Sequence, residues 1–457
     1  MKTLAEQLAE YAVGLRFEEL PGPVVHEVKR RVIDSIGCAL GAWDAAPCAI
    51  ARRVAARFSA ERGATLLGTI HRAPADWAAF ANGCLIRYLD YNDTYLSKEP
   101  AHPSDNISAA LAVAEAENSS GGEFIAAVAL AYELQCRFCD ATSLRARGWD
   151  HVTYGAFSTA LAAARLMRLD AERTRHALGI AGVASAALRQ SRVGELSHWK
   201  GCAFANAARH GVFASMLARE GMTGPAPIFE GEKGFQSLVS GPFEAHVATW
   251  GNKPEGHFMI LSTSIKFWPA EYHSQSAIEA VLKLRPQVGD FAQVQSVLIE
   301  SHDAAVDIIG NEAEKWRPSS RETADHSLPY IVAVALADGE VSAKQFEPER
   351  ITDSALQALV QRVKVQRHVE LSARYPQAVG NIVTLRLRDG RTLSQRVDHP
   401  HGHAQNPLSD AELEAKFREL ARTRLEQHRA DAVLQWLWRL DEAQSWNPLM
   451  SLLKTLD

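Results

Sequence analysis

The stretch from Leu89 to Asn106, LDYNDTYLSKEPAHPSDN, gathers Asp90, Asn92, Asp93, Thr94, Lys98, Glu99, His102, Ser104 and Asp105 between alanine-, glycine- and leucine-rich sequence. Polar groups at this density ordinarily belong to a solvated loop. Their order supports a second reading, a site for acid–base chemistry. Asp90 and Asp93 stand three apart, a spacing that sets both carboxylates on one face of a helix end. Pro103 then halts the chain after His102 and before ISAALAVAEAE, which reads as helix. With Ser104 or Asp105 as its cap, the free N–H groups and positive dipole end of that helix lie beside an imidazole.

Further stretches bring polar chemistry into apolar helical sequence. His151 follows Asp150 just before GAFSTALAAA, where it either caps that helix or faces a ligand across small side chains. In VGELSHWKGCAFANAARHG, Lys200 joins His198 and His210 and opens a small-residue helix, where a cation opposes the dipole and gains nothing structurally. Lys266, Glu271 and His273 surround Trp268-Pro269, at a domain junction of the kind ligand sites favour. Lys266 alternatively snorkels past the aromatics. RPSSRETADHSLPYIVA adds Arg317, Arg321, Asp325 and His326 ahead of an apolar helix that Asp325 or Ser327 can cap. IFEGEKGFQSLVSG, with Lys233, is a glycine-bounded segment that either closes over a pocket or forms a surface turn.

These residue types suit proton removal next to a carboxylate. The resulting aci-carboxylate is doubly charged, and it forms only where cations are already aimed at it. Lys200, Lys266 and a helix N-terminus would supply them. A hydroxyl leaves only when protonated, and a histidine held in one tautomer by a carboxylate is the usual donor near neutral pH. Asp90 with His102 fits that pair, with His151 as the complementary base, or the roles reverse.

The elements that must position these groups divide the chain. A length of 457 residues exceeds the ~250–300 at which single cores stop growing. Residues 1–266 read almost entirely as helix, with Gly37 and Gly41 spaced for close helix packing. Residues 404–457 are again helical, with Ser409 and Glu412 spaced as a capping box. Between them, VQSVLIESHD alternates as a strand, and NIVTLRLRDGRTLSQRVDHP alternates on both sides of Asp389-Gly390, a hairpin signal. HSQSAIEAVLKLR, ADHSLPYIVAVALADG and ITDSALQALVQRV are helical in period. The expected fold is therefore mainly α: a large all-helical domain at 1–266, completed by 404–457, with a smaller α+β domain at 267–403.

Composition narrows the class. With a net charge of −5 and 47% hydrophobic residues, the chain has no general affinity for nucleic acid or an anionic membrane. The acidic N-terminus reads as neither signal nor transit peptide, and no apolar run reaches the ~20 residues that span a bilayer. A cytoplasmic protein is expected. Of six cysteines, only Cys136 and Cys139 form a C-x-x-C pair, which lacks a second pair at zinc spacing and reads as core.

LDYNDT with HPSDN, DH before an alanine-rich helix, WKGCAFANAARHG, IFEGEKGF, IKFWPAEYHSQSAIEA and ADHSLPYIVAVAL, in this order, closely resemble the MmgE/PrpD family over nearly the whole chain. The resemblance implies that the smaller α+β domain is a lid, and that the chain forms a homodimer with a cofactor-free, metal-free site between its domains. It implies dehydration of 2-methylcitrate or a related tricarboxylate, with cis-aconitate decarboxylation or polycarboxylate epimerisation as alternatives. Asp90, His102, His151, Lys200 and Lys266 are the expected catalytic residues, and Asp93, Thr94, Ser104, His326 and Lys233 the expected substrate-binding ones. His326 stands where the decarboxylases carry tyrosine, which favours dehydration. The contrasting class is a non-catalytic dimeric scaffold, which has no need of two lysines at apolar helix starts.

Overall fold

The computed structural model describes residues 2–254 and 256–455. Helices dominate up to residue 219: α1 (Leu4–Gly14), α2 (Gly22–Gly41), α3 (Ala46–Ala55), α4 (Ala75–Tyr88), α5 (Ile107–Ala116), α6 (Gly121–Ala141), α7 (Thr153–Leu166), α8 (Ala171–Ala184) and α9 (Trp199–Arg219). Thr3 and Glu6 close a capping box on α1. Pro21, Gly22 and Pro23 do not merely break the chain; they start α2, where a missing N–H is not needed. The helical run carries one exception, the two-residue strands β1 (Ala64–Thr65) and β2 (Arg72–Ala73), paired antiparallel.

Small residues let the helix axes close up. A Cβ at Gly83 in α4 would lie 2.9 Å from that of Ala205 in α9, and one at Gly211 would lie 2.8 Å from the Ala156 carbonyl of α7. A Cβ at Gly201 would lie 3.5 Å from the Tyr88 Cα, so the end of α4 meets the start of α9. That contact brings Asp90 and Lys200 into one place.

After α10 (Gln275–Leu284), a four-stranded sheet forms from β3 (Val294–Ser301), β4 (Val363–Arg367), β5 (Asn381–Leu387) and β6 (Thr392–Val397), in the order β4-β3-β5-β6. β5 and β6 are joined across Asp389-Gly390, and Gly390 has φ +89°. The helical period expected through Val363 stops at Val360. Val363 instead begins β4, which pairs parallel to β3 at the sheet edge, with Val363 its one buried residue.

Buried apolar residues fall into two main clusters. One runs from Leu4 to Ile265 and includes Leu408–Leu453; the other runs from Trp268 to Val397. The helix Asp410–Ala421, capped by Ser409 with Glu412, lies on α2. Gly37 and Gly41 admit Phe417 and Leu420 there, and a Cβ at Gly41 would come within 2.7 Å of Leu420. Residues 1, 255, 456 and 457 of the expected spans lie outside the described residues. Among those described, no helix is long and apolar enough to cross a membrane.

Candidate active site

Helix α4 ends at Tyr88, and Asp90 takes φ +52°, a left-handed turn that aspartate tolerates better than most residues. The turn sends its carboxylate inward. Arg87 forms an ion pair with it, Lys266 Nζ lies 3.1 Å away, Lys200 Nζ 3.9 Å, His326 Nδ1 3.7 Å and His102 Nε2 4.0 Å. Burial alone would raise the Asp90 pKa, but Arg87, Lys200 and Lys266 together hold it well below the usual carboxylate range. Lys266 also donates to the Asp90 backbone carbonyl at 2.8 Å and is 1% exposed, so it does not snorkel to solvent.

Asp93 does not share a helix face with Asp90, because no helix continues past Leu89. Its Oδ1 accepts from the Ser104 N–H at 2.8 Å and its Oδ2 from Tyr132 at 2.7 Å. Neither Ser104 nor Asp105 caps α5: a 3-10 turn at Pro103–Asn106 leads straight into it, and the upstream Asp93 satisfies the turn's first free N–H. Ser104 Oγ accepts from Asn92. Asp93 and Ser104 thus brace the loop. Thr94 pairs by backbone with Ser264 and lines the cleft.

The His102 ring is held through Nδ1, which donates to the Asp93 carbonyl at 2.8 Å. A backbone carbonyl, not the Asp90 carboxylate, therefore sets the tautomer and leaves Nε2 with a free lone pair. Burial first, then Arg87 and Lys266, keeps this imidazole well below its ordinary pKa, hence neutral. His151 sits 5.9 Å away between ring centroids, with Nδ1 buried and unbonded. Burial lowers its pKa to about 3, with Asp150 opposing. Asp150 itself is gripped by Ser191 at 2.7 Å and Arg192 at 2.8 Å.

Lys200, the second residue of α9, donates to Asp325 Oδ1 at 3.1 Å. Asp325 also accepts from His326 Nδ1 at 2.7 Å, while Ser327 caps the helix Leu328–Asp338. Asp90, His102, His151, Lys200, Lys266 and His326 are thus brought together. Lys233 is not: it is exposed and pairs with its neighbour Glu232 at 3.3 Å. Its segment is fastened by Phe229 and Phe235, packed on Phe157.

The cleft wall also includes Arg87, Glu99, Arg189, Arg192, Glu271 and Lys315. Glu99 and Glu271 belong to stretches singled out from sequence; Arg87, Arg189, Arg192 and Lys315 do not. Arg87 stands three before Asp90, a salt-bridge spacing visible in the sequence. Arg189 and Arg192 lie beyond the end of α8 at Ala184, in a short 3-10 turn. Two wider cavities, of about 490 and 450 Å³, lie elsewhere; the first is lined by Ala184–Leu188 and Trp199, the second by Tyr95, Asp140 and His403. Neither contains the charged cluster.

A mainly helical protein whose cleft sets a neutral imidazole beside buried, preorganised cations has the groups that an enzyme of the lyase class requires. Residues 6–248 match the MmgE/PrpD N-terminal domain and residues 268–440 the MmgE/PrpD C-terminal domain. The chain belongs to the MmgE/PrpD family. It is 27% identical to 2-methylcitrate dehydratase of Cupriavidus necator, covering 92% of this chain and 90% of that one. It is 28% identical to 2-methylcitrate dehydratase of Salmonella typhimurium, covering 82% and 81%, and 26% identical to human cis-aconitate decarboxylase, covering 99% and 95%.

Proposed function

We propose that this enzyme dehydrates 2-methylcitrate or a related hydroxylated tricarboxylate, without a metal ion, by α-proton abstraction and elimination of the hydroxyl. The observation that carries this reading is the buried Asp90 carboxylate with Arg87, Lys200 and Lys266 around it beside a neutral His102. His102 Nε2 takes the proton. The ammonium groups, aimed by Asp90 and Asp325, stabilise the carboxylate as its negative charge grows. The names of the relatives point the same way. Incubation with 2-methylcitrate, citrate and cis-aconitate, read by mass spectrometry, tests it: loss of water from a hydroxy acid is expected. Carbon dioxide release from cis-aconitate alone would make the enzyme a decarboxylase instead.

Asp90, Asp325 and His326 are of metal-ligating types and bring their ligand atoms within 4.8 Å of one another. Lys200 Nζ lies 3.1 Å from Asp325 and 3.9 Å from Asp90, so an ammonium already supplies the cation there. Activity should therefore survive exhaustive chelation, measured as turnover before and after EDTA; loss restored by a divalent ion would reject the metal-free reading.

The reading also includes a homodimer. Trp199, Ala203, Asn206, His210 and Phe213 follow one another at helical spacing along α9, and Trp199, Phe213, Val183 and Leu188 are exposed apolar side chains. A second copy of this chain would cover that face. Light scattering at working concentration should give the dimer mass, and a monomer mass would count against it.

A further inference from the structure

Glu99 comes from the same loop as Asp90 and His102 and lines the same cleft as His102 and His151, yet it has no part in the mechanism above. It is 1% exposed. Both of its hydrogen bonds fall on one oxygen: Oε2 accepts from Ser143 Oγ and from the Arg145 backbone N–H, each at 2.9 Å. Oε1 is buried with no partner. An ionised carboxylate would leave a charged oxygen bare in a desolvated place, which is costly. A protonated carboxyl resolves the asymmetry. Oε2 then serves as the carbonyl oxygen with its two donors, and Oε1–H is a donor that no protein group accepts.

We infer that Glu99 is the acid that protonates the departing hydroxyl. This rests on the dehydratase reading and completes it. His102 Nε2 removes the proton from carbon, the C–H electron pair becomes the second bond of the alkene, and the C–O bond breaks. The oxygen leaves with that bonding pair and the Glu99 proton as water. His102 ends as imidazolium and Glu99 as carboxylate; one proton released to solvent and one taken up reset both. Neutral His151 is a poorer source, since its imidazolium is disfavoured down to about pH 3.

The surroundings favour a protonated Glu99. Burial raises its pKa, while the Arg145 backbone bond, Ser143 and the charges of Arg145 and Arg189 oppose the rise. Cys139, Tyr154 and Tyr375 also face it, and burial keeps all three neutral. A trianionic substrate in the cleft adds like charge and pushes the carboxyl further toward its neutral form.

The test is Glu99→Gln, which keeps an acceptor for Ser143 and Arg145 but has no proton to transfer. On the substrate the wild-type enzyme dehydrates, kcat should fall by about 10²–10⁴-fold with KM nearly kept. The wild-type fall in kcat with rising pH, as Glu99 loses its proton, should vanish in the variant, and Glu99→Asp should recover part of the rate. A folded Glu99→Gln enzyme within a few-fold of wild type, or one that retains that fall, overturns the assignment and leaves the dehydratase reading standing. A wild-type enzyme that removes water from no substrate overturns both. Should the glutamine variant fail to fold, the wild-type profile decides alone. A falling limb that barely moves with temperature is a carboxyl's and supports Glu99, whereas one that moves as an amine's does rejects it.

Discussion

His102→Asn should lower kcat by about 10²–10⁴-fold while leaving KM near its wild-type value, the loss expected for a missing general base. The asparagine amide can still donate to the Asp93 carbonyl that now receives Nδ1 at 2.8 Å, so the loop stays in place and only the Nε2 lone pair is lost. Lys266→Met should fail differently. It removes a cation from substrate and transition state alike, so KM rises as kcat falls. The pH profile gives an independent check. Because burial, Arg87 and Lys266 hold the His102 pKa well below its ordinary value of about 6.5, kcat/KM should stay flat through the ordinary imidazole range. Its acid limb should lie at lower pH, where the base becomes protonated. If His102 merely supported the fold, both variants would lose thermal stability, and activity would follow the folded fraction. Steady-state kinetics beside melting curves separates the two cases. A well-folded His102→Asn enzyme with normal turnover would remove His102 from the chemistry.

The helices and their close packing were legible because alanine and glycine recur at helical spacing. The contact between Gly41 and Leu420 follows directly from such a pattern. The hairpin was legible because Asp389-Gly390 stands between two alternating runs. β4 was not, since an edge strand buries only Val363 and leaves no period to read. Within the site, His102, His151, Lys200 and Lys266 stood out as polar groups in apolar surroundings. Asp93 and Ser104 shared that signature for another reason, which is that a buried loop needs its own polar bracing. Lys233 shared only the loop's glycine pattern, and the aromatics that fasten the segment leave its side chain in solvent. Arg189, Arg192 and Lys315 reach the cleft from irregular turns. No periodicity marks such positions, and only the path of the chain brings them to one wall. The tautomer of His102 is likewise invisible in sequence, since its partner is a backbone carbonyl.

The largest stability effect belongs to Asp90→Asn. The substitution keeps the side-chain shape but leaves Arg87, Lys200 and Lys266, at 2%, 2% and 1% exposure, without the charge they surround. Stranding one buried partner ordinarily costs about 3–5 kcal/mol; Asp325 remains 3.1 Å from Lys200 and Asp105 3.8 Å from Arg87, so Lys266 loses the most. Denaturant unfolding at pH 7 should show a loss of that order. The pH dependence has a definite sign. The Asp90 pKa is depressed in the folded state, so its contribution is present above the unfolded-state pKa and disappears as pH falls through the folded-state value. The gap between wild type and variant should therefore narrow in acid. Equal stability at pH 7 would sink the argument. Adding Lys200→Met to Asp90→Asn removes a cation along with the anion, and a cluster returned toward neutrality should regain much of the lost stability. It should regain no activity, because Lys200 and the aim of Lys266 are gone. A double variant that is stable and inactive would show that the buried charges are retained for chemistry, since the fold does without them.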